Sequence, residues 1–119
     1  MHSTTDSESL LAMLHRLHAE ASERVTTTAT ALETLVHDRE GANDDDEHDP
    51  DGVTLSSEWS RLSGLLDEAR AEQQQIEAAL DRWNAGTYGV CISCGTGIPA
   101  ARLEIRPFAE RCVPCAEKR

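Results

Sequence analysis

The stretch LSSEWSRLSGLLDEARAEQQQIEAALDRW, residues 55–83, decides the architecture. Leu55, Trp59, Leu62, Leu66, Ala69, Gln73, Ile76, Leu80 and Trp83 follow one another at alternating steps of four and three. On a helix of 3.6 residues per turn those positions share one stripe, the seam of a coiled coil. Gln73 is the single polar residue in it. One helix cannot bury such a stripe alone, so the segment predicts a partner.

The partner lies upstream. From about Asp6 to Arg39, Leu10, Leu14, Leu17, Ala21, Val25, Thr28, Leu32 and Leu35 recur at steps of three or four. Thr5 and Glu8 have the spacing of a capping box at the start of this helix. The run VTTTAT at 25–30 is weak, since its β-branched residues each cost roughly 0.5 kcal/mol of helix propensity relative to Ala. Laid antiparallel, the stripes pair Leu35 with Leu55, Val25 with Leu66 and Leu10 with Leu80. Gln73 then faces Leu17, with His18 beside it. The connecting stretch is short enough for the helices to fold back within one chain; pairing with a second copy is the alternative. Asn84, Ala85 and Gly86 end the second helix, Gly86 being suited to the left-handed position after a helix.

The two helices are joined by an acidic connector. Residues 38–58 hold nine carboxylates against one Arg, a net charge of −8. Over the whole chain of 119 residues the balance is 22 acidic to 11 basic, a formal charge of −11. That charge opposes binding to a phosphate backbone, so direct sequence-specific DNA binding is not expected. It favours a basic partner or one that carries a metal ion. With four aromatic residues the chain cannot build a large core, and a small module in it needs a staple. Neither a signal peptide nor an apolar run of about 20 residues is present, so a cytoplasmic location and no membrane contact are expected.

The staple is at the other end. All four cysteines lie in CISCGTGIPAARLEIRPFAERCVPC, 91–115, as two Cys-x-x-Cys pairs separated by seventeen residues. Two such tight turns aim four sulfurs at one point, which is the spacing of a four-thiolate zinc site. In a reducing compartment thiolates on a metal are favoured over disulfides. The reading is therefore one structural Zn²⁺ held by Cys91, Cys94, Cys112 and Cys115. Gly95 permits the left-handed turn after the first pair. Arg102, Arg106 and Arg111 offset the negative charge of zinc with four thiolates. Iron in a rubredoxin-like site and two redox-active disulfides are the alternatives; the latter lack a βαβ setting. A closed four-sulfur site leaves no position for substrate, and the five histidines show no metal or triad spacing. The chain is not read as an enzyme.

Gly86, Tyr88, Gly89, Cys91, Cys94, Gly95, Ile98, Arg102, Leu103, Pro107, Cys112 and Cys115 resemble the zinc-finger signature of the TraR/DksA family. The Gly-x-Tyr-Gly and the internal Arg-Leu are not demanded by zinc alone. The resemblance implies a bacterial transcription regulator that binds RNA polymerase through its secondary channel, with a coiled-coil tip directed toward the active site. Some members act with ppGpp. It implies a mainly α fold, an antiparallel two-helix coiled-coil hairpin over 1–84 with a tip at about 41–55, and a C-terminal four-cysteine zinc finger over 86–119. A monomer is expected. The tip carboxylates would be Asp46, Asp49 and Asp51. The tip departs from the Asp-x-x-Asp-x-Ala motif of the best-known members: counted from Asp49, Gly52 and Thr54 occupy the second Asp and the Ala.

Two other readings stand beside this one. The first is a helical scaffold or interaction protein with a structural zinc finger and no action on polymerase. The second is a calcium loop in EHDPDGVTLSSE, 47–58, with Asp49, Asp51, Gly52 and Glu58 at positions three, five, six and twelve; Glu47 and Thr54 depart from that pattern.

Overall fold

The structure, a computed structural model, describes residues 4–42 and 52–118. Helix α1 runs Thr4–Ala42 and α2 runs Gly52–Asn84, followed by two short helices, α3 at Ala100–Ile105 and α4 at Val113–Glu117. No strand is formed among the described residues; an isolated antiparallel bridge joins Val90 and Gly97. The mainly helical hairpin with the cysteines clustered after it is the expected fold class.

Burial follows the two stripes. Leu10, Leu14 and Ala21 of α1 are buried, and Leu17, Val25, Thr28, Leu32 and Leu35 are half-buried. On α2, Leu62, Leu66, Ala69 and Ile76 are buried. The β-branched run does not interrupt α1, because Val25 and Thr28 turn into the half-buried face and gain from tertiary packing what propensity withholds.

The expected register is corrected. Gln73 donates to Ser22 Oγ at 3.1 Å rather than facing Leu17, and His18 pairs with Glu77 at 3.2 Å. Arg24 meets Glu72 at 2.6 Å. The offset is five positions along α1, from Leu17 to Ser22 opposite Gln73; a shared apolar stripe leaves that slide free, and these polar pairs set it. Helix α1 extends past Arg39 to Ala42 and α2 begins at Gly52 rather than Leu55. Helix α1 also begins at Thr4, so Thr5 lies inside it and not at its cap.

The chain folds as two compact units. Unit one comprises Met1–Ala19 and Gln74–Arg119; unit two is Glu20–Gln73. In unit one, Leu10, Leu14, Ala79, Tyr88, Cys91, Ile98 and Leu103 form one buried cluster. Met13, Leu80, Trp83, Phe108, Cys112 and Cys115 pack against it. The cysteine module therefore shares a core with the first turns of α1, which supplies the apolar bulk its own residues lack.

Helix α2 ends as its sequence predicts. Gly86 has φ +77, its N–H reaches the Trp83 carbonyl at 3.0 Å, and the Thr87 N–H reaches the Arg82 carbonyl at 2.8 Å. That pair of bonds is a Schellman motif, which only a residue at ease in the left-handed region closes without strain.

Candidate functional site

The cysteine module is built from two knuckles. In the first, the Cys91 N–H bonds to the Thr96 carbonyl at 2.8 Å and the Gly95 N–H returns to the Cys91 carbonyl at 2.9 Å. Gly95 sits at φ +79, the left-handed conformation its position predicts. In the second, Cys112 caps α4 with extended backbone and Cys115 lies in that helix. The Ile92 N–H bonds to the Glu110 carbonyl at 2.9 Å, which sets the knuckles side by side.

This framework brings the four sulfurs of Cys91, Cys94, Cys112 and Cys115 within 4.8 Å of one another. Cys94 and Cys112 Sγ are 3.7 Å apart. With Zn–S bonds of about 2.3 Å a regular tetrahedron has edges of about 3.8 Å, so the donor set is close to the size that zinc requires. None of the four is in a disulfide.

The electrostatics agree with a thiolate site. The Cys91 thiol is pulled down to about 6, first by hydrogen bonding from the Cys112 backbone and then from the Cys94 and Ser93 backbones. Cys94 is lowered by the Thr96 hydroxyl, whose Oγ1 is 2.8 Å from its sulfur, and by the Thr96 backbone. Cys115 is pushed up to about 12 by hydrogen bonding with Cys112, Cys94 and Cys91. Four sulfurs this close repel a full set of negative charges, and a divalent cation removes the conflict.

Two of the three predicted arginines flank the sulfurs. Arg102 Nε donates to the Arg111 carbonyl at 3.2 Å, and Arg111 Nε donates to Ser93 Oγ at 3.1 Å. Both line a groove of about 660 Å³ together with Cys94, Cys115 and Lys118. Arg106 is exposed and does not join them. Sequence reasoning missed Ser93 and Glu110, which hold the knuckles together. The signal was their position, each one residue before a knuckle ligand or its arginine.

The acidic residues are distributed one-sidedly. Glu20–Gln73 holds fifteen carboxylates against four basic groups, a net charge of −11, while the other unit balances seven against seven. All of the chain's net charge thus belongs to the body that contains the connector. Asp46, Asp49 and Asp51 lie outside the described residues. The calcium loop fares badly where it is described. Gly52–Glu58, its sixth to twelfth positions, is helical in α2. Both carboxylate oxygens of Glu58, the bidentate ligand of such a loop, are taken by Arg61 at 2.5 and 3.0 Å.

No described helix is long and apolar enough to cross a membrane.

Comparison with known proteins agrees with this geometry. Residues 86–119 match the prokaryotic dksA/traR C4-type zinc finger. The chain is 37% identical over 65 residues to the RNA polymerase-binding transcription factor DksA of Haemophilus influenzae, covering 55% of this chain and 45% of that protein. It is 35% identical over 69 residues to DksA of Escherichia coli K12, covering 56% and 46%. The chain spans less than half the length of these curated relatives. Its fold is similar to that of transcription factor DksA2 from Pseudomonas aeruginosa, with a TM-score of 0.79 and 23% identity over 97% of this chain and 83% of that one. The finger at 86–119 is thus of the prokaryotic dksA/traR C4 type, and the chain around it is similar to DksA proteins in sequence over about half its length and to DksA2 in fold.

Proposed function

We propose that the protein is a transcription regulator that binds RNA polymerase through its secondary channel. Its acidic connector would be directed toward the active site, and a single structural zinc would be held by Cys91, Cys94, Cys112 and Cys115. What carries the reading is one combination: a C4 finger of this family at 86–119 and a helical body that owns the entire net charge of −11. Asp46, Asp49 and Asp51 supply carboxylates at the connector. Near a catalytic metal ion they act as ligands or competitors without the chain performing chemistry itself. The zinc contributes shape and not reactivity, since four thiolates complete its tetrahedron. DksA of Haemophilus influenzae bears the name of an RNA polymerase-binding transcription factor, which supports polymerase as the partner here. We assign the protein to the cytoplasm as a monomer that does not recognise DNA sequence directly; ppGpp is a candidate co-effector.

The test is in vitro transcription with the cognate polymerase, comparing wild type with Asp49→Asn/Asp51→Asn. A regulator changes transcript yield at responsive promoters, and the double variant loses that change while still being retained by core polymerase. Wild type that neither binds polymerase nor alters transcription leaves the scaffold reading in its place.

A further inference from the structure

Trp59 occupies a seam position, yet it is 46% exposed, and Val36 beside it is 39% exposed. Together with Leu32, Glu33 and His37 they line a groove of about 340 Å³ within the acidic unit. A seam needs no indole: Leu62 and Leu66, the next two seam positions, are buried as leucines. A tryptophan left half in water forfeits much of the burial free energy its large surface offers, and a partner that covers it recovers that energy.

The surrounding charge says what can cover it. The unit carries net −11, with Glu33 in the groove wall and the −8 stretch 38–58 lying between His37 and Trp59 in the chain. A second copy of this chain would bring the same charge to the same surface, so self-association is opposed. A basic segment is attracted, and arginine fits best in detail. Its guanidinium stacks on the indole face, its charge meets Glu33, and its methylenes lie along Leu32 and Val36.

We infer that the Leu32–Val36–Trp59 groove is a docking site for an arginine-bearing basic segment of the protein partner. The identity of that partner as RNA polymerase rests on the function proposed above. The groove is an apolar anchor separate from the connector carboxylates, so the chain holds its partner by stacking as well as by charge. Tryptophan and arginine are the residue types that most often dominate such contacts.

The experiment measures the affinity of dye-labelled protein for cognate core polymerase by fluorescence anisotropy. Wild type is compared with Trp59→Ala, Trp59→Phe and Glu33→Gln, and far-ultraviolet circular dichroism verifies helix content. Trp59→Ala is expected to weaken binding by about tenfold or more, whereas Trp59→Phe, which keeps an aromatic face, stays within about threefold. Glu33→Gln should weaken binding less and flatten its salt dependence. If wild type binds and folded Trp59→Ala binds equally well, the groove inference fails and the polymerase reading stands. If wild type does not bind at all, the polymerase reading fails and takes this occupant with it. A wild-type dimer in sedimentation that Trp59→Ala converts to monomer would assign the groove to self-association and overturn the proposal.

Discussion

Tyr88 donates its phenolic O–H to the Pro107 carbonyl at 2.9 Å, tying the strand of chain that enters the first knuckle to the one that approaches the second. Its ring lies 5.5 Å from that of Trp83, tilted by 45°, so the same residue fastens the end of α2 to the cysteine module. Burial pushes its hydroxyl up to about 12, with the positive charge of Arg82 opposing the shift. A group raised in the folded state contributes stability that is present below its unfolded value near 10 and lost as pH climbs toward 12. Thermal melts should therefore fall steeply between pH 10 and 12, and Tyr88→Phe should remove that component of the slope. At pH 7 the same substitution forfeits the hydrogen bond and costs about 1 kcal/mol.

Leu14 is fully buried in the cluster that contains Cys91, Ile98 and Leu103. Leu14→Ala deletes three carbons from that core and should destabilise unit one by about 3 kcal/mol. The variant should also lose zinc to a chelator faster than wild type, although position 14 is remote from the cysteines in sequence. An unchanged release rate would mean that α1 and the finger do not share a core.

Chelation tests the division into units. Removing the metal leaves Cys91, Cys94, Cys112 and Cys115 clustered with nothing to relieve their repulsion, so the finger should open. Because Leu10 and Leu14 lose their packing with it, hydrogen exchange should rise across 7–19 as well as 74–118. Protection in 20–38 and 55–73 should persist. Circular dichroism would then register a partial loss of helix rather than a complete one.

Gln73 is half-buried in an otherwise apolar seam and spends its amide on Ser22. Gln73→Leu should raise the melting temperature by a few degrees, since an apolar residue at a seam position packs without a polar group to satisfy. The same change should loosen the register. Double electron–electron resonance between spin labels on the exposed positions Glu23 and Arg70 should show a broader distance distribution in the variant than in wild type.

The long helices were legible because their signal is periodic. Nine positions at steps of four and three leave no other reading of 55–83, and burial falls on those positions with Trp59 as the exposed exception. The knuckles were legible because thiolate spacing and the left-handed Gly95 are local requirements. Register was not, because sliding one helix along another keeps the same stripe buried; the offset shows only in the cross-helix pairs Gln73–Ser22, Glu77–His18 and Glu72–Arg24. The shared core of unit one was hidden for a different reason. Leu10 and Leu14 read as ordinary seam residues, and no local pattern announces that their partners are Tyr88 and Leu103. Arg111 was identified by its charge, whereas its role as a clasp onto Ser93 depends on a contact 18 residues away in the chain.

The central claim is that the acidic connector enters the polymerase and approaches its active site. The direct measurement is photocrosslinking from p-benzoylphenylalanine installed at position 49, with cognate core polymerase and mapping of the adducts by mass spectrometry. The account predicts adducts on segments lining the secondary channel near the catalytic metal, formed by wild-type-like protein and suppressed by excess unlabelled chain. Adducts confined to the outer surface of polymerase, or none from a protein that binds it, would contradict the account.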